Sequence, residues 1–145
     1  MNGNGAGRLY TPELLSLAVN LADYPLEDSL PHRGEAVSRT CGSKLALGLA
    51  SDADGVIEGV GMQVSACAVG QAAAAVFAAG AMGMDRRKVA AAGQAIEGWL
   101  AGGPEADWPG IGAIAAAREH PGRHGAILLP WRAAHAALSN AAAAE

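Results

Sequence analysis

The 145-residue chain has few cysteines and few aromatic rings: two Cys, one Phe, two Tyr and three Trp. Two thiols exclude a disulfide framework, and alone they do not fill the four-donor shell of a zinc or iron–sulfur centre. Charge is thin as well, at 17%, against about a quarter in an ordinary soluble domain. Its balance is acidic, ten Lys and Arg against fourteen Asp and Glu, for a net charge of −4. That excludes the basic stripe of a nucleic-acid-binding domain. The opening Met1-Asn2-Gly3-Asn4-Gly5 has no apolar core and is not a signal peptide, so residues 1–10 read as a disordered tip. A reducing, cytoplasmic setting is the expectation. The uncharged run from Ala66 to Met84 is as long as a membrane span but consists mostly of Ala and Gly around Gln71. It lacks the Leu, Ile and Phe that drive insertion, and reads as a buried helix with no membrane partner.

What fills the sequence instead is alanine, 35 residues of it, within a hydrophobic fraction of 51%. Small side chains bury little area each. A core made of them depends on close backbone approach, with Leu, Ile, Val and the anchors Trp99, Trp108 and Trp131 supplying bulk. The length suits a single domain, placed at residues 11–140, with no internal repeat and a frayed end at 141–145.

Thr11-Pro12-Glu13 predicts a helix start: a hydroxyl cap, Pro at the first position and an acid in the first turn. Leu14, Leu17, Ala18 and Leu21 follow at helical spacing, and Tyr24-Pro25 stops them. A turn-rich connection runs from Leu26 to Gly34. The period then changes to two. Leu45, Leu47 and Leu49 alternate with small residues, as do Val60, Met62 and Val64, and Ser51-Asp52-Ala53-Asp54-Gly55 is a hairpin turn between them. A weaker strand, Glu35–Thr40, precedes them, with a tight turn at Thr40-Cys41-Gly42-Ser43. After Cys67 the spacing is helical, with Asp85 as a cap and Gly102-Gly103 as a stop. A short helix at most is expected over Ile111–Ala117. The last helix is expected from about Leu128 to Ser139, with Pro130 opening or kinking it. The fold class is α+β: an N-terminal helix, a three-stranded antiparallel sheet, then C-terminal helices on one face of it.

Both cysteines fall at the ends of elements. Cys41 lies at a predicted tip beside Gly42. Cys67 follows the last strand, in the first turn of the next helix, with Ser65 as its expected cap. Unpaired N–H groups and partial positive charge at a helix N-terminus favour an anionic sulfur. In this layout both thiols sit at the same end of the sheet. The plainer alternative is that each is a small buried hydrophobe. The four histidines are scattered: His124 is a candidate third donor, His32 a weaker one, and His120 and His135 weaker still. Glu35, Asp52, Asp54 and Glu58 form no evident acid–base pair. Arg86-Arg87-Lys88 reads as a solvated face, and Gly59-Val60-Gly61 lacks the rest of a phosphate-binding fingerprint.

Three separated segments carry a resemblance. Ser38-Arg39-Thr40-Cys41-Gly42-Ser43-Lys44 is similar to the Cys-Gly-Asp turn of the NifU/IscU/SufU family of iron–sulfur cluster assembly scaffolds. Gly61-Met62-Gln63-Val64-Ser65-Ala66-Cys67-Ala68-Val69 resembles that family's second cysteine at a helix start. Arg123-His124-Gly125-Ala126-Ile127-Leu128-Leu129-Pro130-Trp131 resembles its Arg-x-x-Cys-x-x-Leu-x-Trp segment. The match spans about Leu14 to Leu138. It implies a site of three cysteines and an aspartate that holds a transient iron–sulfur cluster, or iron or zinc, and takes sulfur from a cysteine desulfurase for apo client proteins. Cys41 and Cys67 match the first two cysteines, as cluster or metal ligands and as persulfide acceptors. Ser43 stands where the family has its Asp, and Ala126 where it has the third Cys. The family's chaperone-recognition motif is also missing near His120–His124. The expectation is a scaffold-like carrier of sulfur or iron on a cysteine pair, not an enzyme. The alternatives are a metal-free adapter of the same fold and a thiol redox protein with a Cys41–Cys67 disulfide.

Overall fold

The computed structural model describes residues 9–39 and 42–144, with the backbone alone for 142–144. The first helix, α1 (Pro12–Asn20), begins as its sequence dictates: Leu14 N–H donates to Thr11 Oγ1 at 3.1 Å, with Pro at the first position. A short 3-10 turn, Leu21–Asp23, ends it. Residues 1–8 of the expected disordered tip lie outside the described residues. Leu9, assigned to that tip, is 4% exposed and belongs to the core.

Three strands follow in the order β1-β2-β3, all antiparallel: β1 (His32–Ser38), β2 (Ser43–Ser51) and β3 (Ile57–Ser65). The β2–β3 hairpin turns where Asp52 Oδ1 accepts from Asp54 N–H at 2.9 Å and Val56 N–H at 3.0 Å. The first strand begins earlier than its apolar pattern suggests and ends at Ser38, not Thr40. His32-Arg33-Gly34 looks like loop because Gly34 faces a helix backbone: a Cβ there would strike Ala133 O and Ala137 N. The glycine admits the helix, and only the assembled molecule shows that.

Leu45, Leu47 and Leu49 point inward, each at most 2% exposed. On the outer face Gly48, Gly59 and Gly61 form a flat patch under the segment after α1. A Cβ at Gly61 would meet Pro25 O and Leu30, and one at Gly48 would meet Leu26 and Leu30. Arg33 ties this segment down, donating from Nε to Leu30 O at 2.7 Å and from Nη2 to Glu27 O at 2.6 Å.

The helices cover the inner face. The uncharged stretch becomes α2 (Ala68–Ala81), buried at eleven positions and so almost all round. No described helix is long and apolar enough to cross a membrane. Next is α3 (Arg86–Leu100), capped by Asp85 Oδ1 accepting from Lys88 N–H at 2.9 Å. A 3-10 segment, Ile111–Glu119, and a 3-10 turn, Pro121–Arg123, lead to α4 (His124–Ala144), which lies along β1 and β2. This last helix starts four residues before the expected Leu128 and includes Pro130 in its interior. It also continues through 141–144, where fraying was expected. Pro130 removes only the N–H that would donate to Ala126 O. Packing of the first turn on the sheet and on α2 holds the helix together across that gap. Inside, the rings of Phe77, Trp108 and Trp131 form one cluster, Phe77 stacked on Trp108 at 5.4 Å and edge-on to Trp131 at 5.5 Å, and Trp99 is buried as well.

Candidate functional site

The three segments singled out by their residues meet at one end of the sheet. Ser38 pairs with Ser43 across β1 and β2, and Gly42 N–H donates to Ser38 O at 2.9 Å, closing the neck of the turn between them. Thr40 and Cys41 lie outside the described residues, whereas their neighbours Arg39 and Gly42 are placed. Gly42 is exposed with φ of 71°, a backbone conformation that suits glycine at a tight turn. On the other side of β2, Lys44 pairs with Ser65. Continuing that register puts Ala66 opposite Ser43, with Cys67 next.

Cys67 is itself the N-cap of α2, in place of the expected Ser65. Its backbone is extended (φ −66°, ψ 171°) and its side chain makes no capping hydrogen bond. The thiol is free and half-buried, packed partly against the core. Gln71 steadies this helix start, its backbone N–H donating to Cys67 O at 2.9 Å and its Nε2 to Ala66 O at 3.0 Å.

The first turn of α4 closes the site from above. A Cβ on Gly125 would strike Ser38 Oγ, so this turn rests directly on the end of β1. A Cβ on Gly70 would lie 3.3 Å from the Ala126 Cβ and 2.7 Å from that of Ala66. Position 126 therefore lies against the first turn of the helix that Cys67 caps. Ala126 is 0% exposed, Ser43 3% and Ser38 4%.

The histidines fall elsewhere or serve the fold. His124 begins α4, and its Nε2 lies 2.9 Å from Arg118 O. A carbonyl only accepts, so Nε2 carries the proton and only Nδ1 is left for any ligand. His32 is at the opposite end of β1, its Nε2 3.1 Å from Ser51 Oγ, which removes it as a donor here. His135 is exposed on α4, beside Glu97 and Arg132 in a shallow groove between α3 and α4. Among the described residues no group of three His, Cys, Asp or Glu side chains could hold a metal ion.

Comparison with solved structures decides the fold. A NifU-like protein (N-terminal part) from Brucella abortus superposes with a TM-score of 0.86, covering 97% of this chain and 99% of its own at 24% identity. The chain has the NifU-like fold. FiSufU from the thermophile Fervidobacterium islandicum, named as an iron–sulfur cluster assembly scaffold for the SUF system, matches with a TM-score of 0.82. It covers 94% of this chain and 99% of its own, at 18% identity. No protein-family model and no curated protein matches the sequence. On this NifU-like fold the neck of the β1–β2 turn at Ser38 and Ser43, the cysteine-capped helix and the start of the last helix lie at one end of the sheet, while Cys41 lies outside the described residues. The signal that sequence reasoning missed is the glycine pair Gly70 and Gly125. Each marks where a helix turn presses on its neighbour at the site.

Proposed function

We propose that the chain acts in iron–sulfur cluster assembly as a scaffold-like carrier, accepting sulfur on its cysteine pair from a cysteine desulfurase and passing it toward apo client proteins. The observation that carries this reading is the placement of Cys67: a free thiol, unused in capping, at a helix N-terminus that follows directly from β3, on a NifU-like fold. The helix N-terminus offers unpaired N–H groups to an anionic sulfur.

The chemistry is exchange without net oxidation. A Cys67 or Cys41 thiolate attacks the terminal sulfur of the desulfurase persulfide. The S–S bond there breaks, the desulfurase cysteine leaves as a thiolate, and a new S–S bond forms on this chain. The protein is a stoichiometric carrier in this role, not a turnover catalyst, and its thiols require a reducing compartment such as the cytoplasm.

The donor set fits a resident cluster, iron or zinc poorly. A neutral serine hydroxyl and an alanine methyl stand at positions 43 and 126, and neither replaces a carboxylate or a thiolate. Anaerobic incubation with a desulfurase and cysteine, followed by intact-mass measurement, tests the carrier reading. The expected result is a gain of one sulfur atom, reversed by reductant, and much reduced in Cys67→Ala with the fold retained. No sulfur gain on the wild-type chain overturns it and leaves the metal-free adapter and the thiol redox protein.

A further inference from the structure

Resting on the carrier reading, we infer that this chain alone retains no metal, and that Ser43 and Ala126 are the two side chains responsible.

The argument is geometric. Ala66, Gly70 and Ala126 pack together between the start of α2 and the first turn of α4, and Ser43 is buried at the end of β2. Cys67 caps α2 beside Ala66. Ser43 and Ala126 are both at most 3% exposed, so each Cβ is directed into protein and not into solvent. A donor at position 126 would lie against the first turn of the helix that Cys67 caps, and one at position 43 at the end of the strand beside it. The residues present supply no such donor. Even when Cys41 is credited as a second thiolate, two protein donors remain, and His124 already commits Nε2 to Arg118 O. Tetrahedral sites draw their affinity from three or four protein ligands. A pair of thiols exchanges its metal freely, and sulfur bound covalently as persulfide becomes the cargo the site can keep.

Anaerobic titration with zinc alone, in competition with a chromophoric chelator, tests this on the wild-type chain and on Ser43→Asp/Ala126→Cys. The expected result is no stoichiometric retention by the wild type and one equivalent held by the double variant. The metal should also raise the variant's unfolding temperature, because it neutralises a carboxylate placed in a buried site. Cobalt(II) should give that variant the visible absorption of tetrahedral thiolate ligation. Should the double variant fail to fold without metal, the single Ala126→Cys variant replaces it, with a three-thiol set and no added buried charge. One equivalent of zinc kept by the wild type overturns the inference. So does a folded variant that binds no more than the wild type. Persulfide loading is read separately by mass. Its loss with the zinc results intact removes the carrier reading and leaves this inference standing, and the converse pattern does the opposite.

Discussion

At the scale of single residues, glycine decides how closely neighbouring elements approach. Gly34 lets the backbone of α4 touch β1, where a Cβ would strike Ala133 O. Gly34→Ala forces two main chains apart, which ordinary side-chain repacking does not relieve. We expect a loss of about 2 kcal/mol or more, in line with overpacked cores, measured by urea unfolding. Gly122 is the control. It sits in the exposed turn Pro121–Arg123, has nothing within 4 Å of its Cβ position, and its φ lies outside the left-handed region. Gly122→Ala should be neutral or stabilising by about 0.5 kcal/mol, through the entropy of the unfolded chain. The two sites differ in neighbours and not in residue type.

Among elements, the link between α3 and α4 depends on Arg118. Its Nε donates to Trp99 O at 3.0 Å and its Nη2 to Gly103 O at 3.3 Å, and its guanidinium lies 5.3 Å over the Trp99 ring. A cation at a helix C-terminus also meets the negative end of the macrodipole. The Arg118 carbonyl in turn holds His124 Nε2, so one residue joins the end of α3 to the start of the helix that closes the site. Arg118→Ala should cost about 2 kcal/mol, since the Trp99 and Gly103 carbonyls both lose a charged donor. Arg118→Lys should recover only part of it, because one ammonium does not reproduce the planar fork. Chemical denaturation of the three proteins decides between these outcomes.

Over the whole molecule, α2 is the hub. It packs against α1, α4 and β3, and Trp108 Nε1 donates to its Val76 O at 3.0 Å while the indole ring lies across Gly80. A helix wrapped on every side exchanges its amide protons only when the whole fold opens. Hydrogen exchange should show α2 protected to the global unfolding free energy, with α1 opening at lower cost. Equal protection in both would contradict this account of the core.

Much of this architecture is legible in local sequence because local physics dictates it. Thr11-Pro12 and Asp85 cap helices with their own side chains, the period-two leucines of β2 choose one sheet face, and Asp52 with Gly55 turns the hairpin. Strand order alone puts the β1–β2 turn and Cys67 at the same end of the sheet, whereas the place of Ala126 against the start of α2 is a matter of helix packing. Tertiary structure decided the rest. It extended β1 back to His32, made Cys67 the cap in place of Ser65, and carried α4 through Pro130, since in each case the deciding contact comes from residues distant along the chain. A glycine pressed against another helix looks, in sequence, the same as a glycine in a loop. The close approaches that shape this site exist only once the chain has folded.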